Sequence, residues 1–76
     1  MRTEGFTMGQ RLKALRLAAR MTQRELAERS GIPLGTLVNW EQDRNEPALS
    51  AAVPLARALG ISLDVLAGYV PPKQKK

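Results

Sequence analysis

The fold is read from Met21-Thr22-Gln23-Arg24-Glu25-Leu26-Ala27-Glu28-Arg29-Ser30-Gly31-Ile32-Pro33-Leu34-Gly35-Thr36-Leu37-Val38-Asn39-Trp40. Thr22 to Glu25 is a capping box: the Thr22 hydroxyl can accept a backbone N–H three residues on, and the Glu25 carboxylate can reach back to the Thr22 N–H. Met21, just ahead of the cap, can pack on Leu26 as a hydrophobic staple. A helix therefore starts here and runs to about Ser30. Gly31 supplies the backbone freedom for a sharp turn, and Pro33 suits the first position of a following helix, where its missing N–H would be unpaired anyway. Leu37 and Trp40 give that helix a buried face. It ends near Gln42, with Asp43 in a left-handed stop conformation that Asp tolerates better than most side chains.

Outward from this stretch the signals are also helical. Thr7 to Gln10 is a second capping box, and Leu12, Leu15 and Ala19 follow at helical spacing, predicting a basic first helix over about Met8 to Arg20 with Arg11, Lys13, Arg16 and Arg20 on it. After a polar loop from Arg44 to Pro47, Leu55, Ala56 and Leu59 mark a fourth helix closed by Gly60. Pro54 is expected in its first turns, which puts the start near Ser50 or later, because a mid-helix proline costs about 3 kcal/mol. Ser62 and Asp64 suit the start of a short fifth helix, with Ile61 and Leu66 as staple and Gly68 past its end. Five helices with short loops and no strand signal give an all-α, compact five-helix bundle. The expected organisation is a flexible arm over 1–7, one domain over 8–70 and a basic, disordered tail over 71–76.

Seventy-six residues make one domain, and a chain this short buries only about 60% of its unfolded surface, so each apolar position weighs heavily. The absence of cysteine removes disulfides and thiolate metal sites and makes a reducing cytoplasm the simplest compartment. No signal-peptide pattern or apolar run of bilayer length is present, so no membrane partner is expected. The net charge is +5, but Met8 to Val70 carries eight basic and six acidic residues, a net of +2. The rest comes from Lys73, Lys75 and Lys76, because Arg2 and Glu4 cancel. Charge alone leaves nucleic-acid binding and an ordinary solvated surface equally open. With no histidine or cysteine, no phosphate-binding loop and no paired carboxylates outside helix-forming contexts, no catalytic residues, metal site or cofactor are expected. Ser30, Ser50 and Ser62 read as helix-end residues.

Gln23, Ala27, Gly31 and Leu37, flanked by Leu26, Ile32 and Trp40, have the spacing of a helix-turn-helix. Ala27 is small where two helices cross, Gly31 turns the chain, and Leu37 and Trp40 seat the second helix. A plain helical hairpin is the bland alternative. The chain resembles the phage-repressor and Cro-like helix-turn-helix family, also called xenobiotic-response-element-like, over about Met8 to Leu66. The resemblance is carried by Arg16, Met21 to Ala27, Ser30 to Pro33, Trp40-Glu41, Pro47 and Ala58 to Leu63. It implies a lambda-repressor-like fold and sequence-specific binding of double-stranded DNA by a transcriptional regulator of the repressor kind.

By the same resemblance, Gln23 would bond a DNA phosphate and the start of the recognition helix, and that helix would enter the major groove with Pro33, Leu34, Gly35, Thr36 and Asn39 near the bases. Leu34 and Gly35 stand where long polar readers often occur, so direct readout is thin. Asn39 can pair with adenine, and Thr36 and Leu34 can touch a thymine methyl or a phosphate; readout of DNA shape is the alternative. Arg44 and Asn45 fall in the family's phosphate-contacting loop, with Arg24 and Arg11 as weaker candidates. Arg16 and Glu41 match a structural salt bridge. The resemblance also implies a homodimer on an inverted repeat, with Leu66, Tyr69 and Val70 as available apolar residues, and a cytoplasmic protein associated with the nucleoid when bound. Antitoxins and coactivator adaptors use this fold for protein interaction, which is the competing function.

Overall fold

Both capping boxes close as their spacing requires. In the computed structural model, which describes residues 5–69, the helices are α1 (Met8–Ala18), α2 (Gln23–Ser30), α3 (Leu34–Glu41), α4 (Leu49–Leu59) and α5 (Leu63–Ala67). Thr7 Oγ1 accepts the Gln10 N–H at 3.1 Å while Gln10 Oε1 accepts the Thr7 N–H at 3.0 Å. Thr22 and Glu25 repeat the exchange at 3.0 and 2.8 Å. Ser62 Oγ accepts the Val65 N–H at 3.2 Å at the start of α5. Most of the expected arm, Val70 and the whole basic tail lie outside the described residues. Phe6 and Thr7, assigned to that arm from sequence, take part in the fold through the Thr7 cap and a bond from Arg11 Nη2 to the Phe6 carbonyl.

All five helices end in the same way. A backbone N–H reaches back five residues in the pairs Met21 to Arg16, Ile32 to Ala27, Arg44 to Asn39, Ile61 to Ala56 and Tyr69 to Asp64, at 2.9 to 3.2 Å. The residue before each donor has positive φ: Arg20, Gly31, Asp43, Gly60 and Gly68. This is the Schellman closure, which satisfies carbonyls that a helix end would otherwise leave unpaired. It also corrects the first helix, which stops at Ala18 because Arg20 at φ 60 has already left the helical region. Pro33 is the N-cap of α3, one position earlier than expected. α4 begins at Leu49, so Pro54 sits in its second turn.

One core joins the five helices. Leu12, Leu26, Leu37, Leu55 and Leu66 are at most 1% exposed, and Ala27, Trp40, Ala56 and Leu59 complete the cluster. Burying a leucine side chain contributes about 1.5 to 3 kcal/mol, which is why so few residues can hold so small a domain. α3 packs on α1 and α2, whereas α4 packs on α2 and α5, and α5 returns to α1. Leu66, read from sequence as an apolar residue available at the surface, is instead a core residue, while Tyr69 is exposed.

The start of α1 meets the end of α3 at Gly9. A β-carbon there would lie 2.5 Å from the Trp40 carbonyl oxygen and 2.8 Å from that of Glu41. Only glycine lets the two backbones approach this closely. α3 is thereby held at its C-terminal end by the first turn of α1.

Candidate nucleic-acid interface

Leu37 and Trp40 are buried and fix α3 on the domain body. The opposite side faces water: Pro33 and Gly35 are exposed, and Thr36 and Asn39 are half-buried. The Thr36 hydroxyl and the Asn39 amide make no side-chain hydrogen bond within the described residues, so their donors and acceptors are free for an external partner. Leu34 is half-buried and leans on the core cluster, leaving only part of it outward. Gly35 has ordinary helical φ, and a β-carbon on it would meet nothing within 4 Å. The fold does not require a glycine there.

Behind this face lies a buried ionic cluster. Arg16 Nε donates to Glu41 Oε2 at 2.7 Å and Nη2 to Oε1 at 3.1 Å, with side-chain exposures of 8% and 3%. The guanidinium also donates to the Met21 carbonyl through Nη1 at 2.9 Å. One residue of α1 thus ties the entry of α2 to the end of α3. The bidentate pairing and the extra acceptor satisfy charges that would be costly if left alone.

Gln23 Nε2 donates to Glu41 Oε1 at 3.1 Å. This corrects the role implied by resemblance, in which Gln23 holds the start of the recognition helix: here it holds the last residue. The consequence is an oriented amide, with one Nε2 hydrogen committed inward and the other left for an acceptor outside. Arg24 is exposed beside it. Glu25 has its carboxyl held below the ordinary 4.5, first by the Thr22 backbone N–H, then by the Thr22 side chain, with Arg29 adding a smaller effect.

Arg44 and Asn45 are exposed in the loop after α3. Asp43, which sequence reading placed only as a helix stop, positions them: its Oδ2 accepts the Thr7 hydroxyl at 2.6 Å and its Oδ1 accepts the Gly9 N–H at 2.9 Å. An aspartate in a conformation that favours glycine was the available signal, but its partners lie 34 and 36 residues away. Arg11 moves the other way. Its guanidinium bonds the Phe6 carbonyl and lies against Gly68 at the end of α5, so it belongs to the joint between α1 and α5 and not to the face of α3.

A short helix crossed on a second through a left-handed glycine, seated by buried apolar residues and presenting unpaired polar groups outward, defines a helix-turn-helix domain. The helix-turn-helix family profile matches residues 12–66, and the chain belongs to this family in its phage-repressor and Cro-like form. It is 40% identical over 63 residues to the immunity repressor protein of Bacillus phage phi105, covering 83% of this chain and 44% of that protein. It is 36% identical over 63 residues to the transcriptional regulator PuuR of Escherichia coli strain K12 and, equally, to ImmR of Bacillus subtilis strain 168, covering 34% and 50% of those proteins. The chain therefore spans no more than about half the length of these relatives. Among solved structures it is similar to the restriction-modification controller protein C.AhdI from Aeromonas hydrophila, with a TM-score of 0.75, 34% identity, and coverage of 78% of this chain and 89% of that one.

Proposed function

We propose that this domain binds double-stranded DNA in a sequence-specific manner and regulates transcription, as a repressor, by inserting α3 into the major groove. The observation that carries this reading is the outer face of α3, where the Thr36 hydroxyl and Asn39 amide have no hydrogen-bond partner among the described residues while Leu37 and Trp40 anchor the helix from behind. Asn39 reads an adenine edge, Thr36 a neighbouring base or phosphate, and Pro33, Leu34 and Gly35 form the surface that approaches the groove. Gln23, Arg24, Arg44 and Asn45 contact the phosphate backbone at the two ends of the unit and set its register. Arg16 and Glu41 hold this arrangement from beneath.

Two copies act together on an inverted repeat, with half-sites about 34 to 36 Å apart or a multiple of that. Leu49 on α4 is 73% exposed, and Leu63 and Val65 on α5 and Tyr69 just after Gly68 are also exposed, with Leu49 and Leu63 lining one groove. We assign this exposed apolar surface to a second copy of this chain, since a twofold dimer uses the same patch on both subunits. The dimer works on DNA in the cytoplasm, at the nucleoid. Affinity for duplex DNA measured against salt tests the reading: each phosphate contact adds about −0.9 to the log-log slope. A flat response would transfer the domain to the protein-interaction class. Selection from a randomised duplex pool then gives sequence preference and half-site spacing together.

A further inference from the structure

Of the five left-handed positions that close the helices, Gly31, Gly60 and Gly68 are glycine, whereas φ 61 is borne by Asp43 and φ 60 by Arg20. A β-carbon in this conformation crowds the backbone, so each of the two side chains strains the fold unless something offsets it. For Asp43 the offset is internal, because its carboxylate holds Thr7 and Gly9. For Arg20 there is none. It is exposed, and within the described residues its backbone N–H bonds the Leu17 carbonyl while its guanidinium has no hydrogen bond or ion pair. Backbone positions of this kind concentrate at functional sites, which makes Arg20 a candidate for an external contact.

Its place in the chain says which contact. Arg20 directly precedes Met21, whose carbonyl is gripped by Arg16, and stands three residues before Gln23, whose amide is anchored on Glu41. Three residues span at most about 10 Å, so the Arg20 and Gln23 backbones lie close together at the junction of α1 and α2. We propose that Arg20 is a DNA phosphate contact flanking the one made by Gln23, its planar fork taking phosphate oxygens of the duplex backbone. This assignment rests on the DNA-binding reading and adds to it a residue that strains the free fold.

Arg20→Gly relieves the left-handed position and removes the charge, so stability and binding should move in different directions. Its Tm should equal or exceed that of the unsubstituted protein, while affinity for duplex DNA should fall about tenfold at low salt and the log-log salt slope should shrink by about 0.9. Arg20→Lys should retain the slope. Arg57→Ala, which removes the same charge from α4, should leave the slope unchanged. An Arg20→Gly protein with undiminished slope and affinity, beside a parent that binds with a steep slope, overturns the contact alone. A flat parent overturns the DNA reading and the contact with it, and loss of slope in Arg57→Ala equal to that in Arg20→Gly reduces Arg20 to bulk charge.

Discussion

The α2–α3 pair and the α4–α5 pair treat their surfaces in opposite ways. In α2 and α3 the large apolar residues Leu26, Leu37 and Trp40 go inward, the exposed positions carry charge or glycine, and the amides and hydroxyl of Gln23, Asn39 and Thr36 are half-buried. In α4 and α5 the core is supplied by Leu55, Leu59 and Leu66, yet Leu49, Leu63 and Val65 are left outside. α2 opens with a capping box and α3 ends on a buried ion pair, whereas in the second pair only α5 has a side-chain cap and α4 carries a proline. Specific polar geometry is therefore concentrated where a partner with fixed hydrogen-bonding groups would sit. Adaptable apolar surface is concentrated where a like partner would.

The sharpest way to break this contrast is to remove its ionic support. Glu41→Ala leaves Arg16 buried without its partner and should destabilise the domain by about 3 to 5 kcal/mol, read by denaturant unfolding. An equal loss from Leu63→Glu would show that the two halves are not organised differently. Leu63→Glu with Val65→Glu should instead leave folding nearly unchanged, yield a monomer in sedimentation and weaken binding to a two-half-site duplex by about 100-fold, while a single half-site is bound as before. Asn39→Ala should cost about 1 to 3 kcal/mol of discrimination at one base pair, seen in selection from randomised duplexes, with no change in salt slope.

The smallest effect is electrostatic and confined to one end of α2. Because the folded Glu25 carboxyl is held below the ordinary 4.5, its contribution is fully present above that value and is lost as pH falls through the depressed one. The Thr22 amide resonance should follow this loss in an NMR titration below about pH 4.5. The matching position of α5 is Val65, which cannot titrate, so the Ser62 cap should show no such step of its own.

Much of the fold was legible because its signals are local. Thr7 with Gln10, Thr22 with Glu25, and Gly31, Gly60 and Gly68 each act within five residues of themselves, and local chemistry is what a sequence displays. What escaped depends on distant partners. Asp43 read as a stop and proved to be a brace, Gly9 drew no notice although two carbonyls from α3 lie against it, and Gln23 was paired with the wrong end of the recognition helix. Leu66 and Tyr69 are three residues apart in an apolar segment, and only packing decides which one goes in. The candidate readers on α3 were legible as a face, since Leu37 and Trp40 fix the opposite one, but Arg20, whose guanidinium has no partner among the described residues, emerged only after the other left-handed positions were accounted for.

The bond from Gly9 to Asp43 also converts one proton into a gauge. Amides in the opening turn of a helix have no carbonyl ahead of them and ordinarily trade hydrogen for deuterium quickly. The Gly9 amide is claimed by the Asp43 carboxylate just past the end of α3, so its exchange should slow and should quicken whenever that helix lifts from its seat. Read alone, that resonance reports how often the free domain opens along α3.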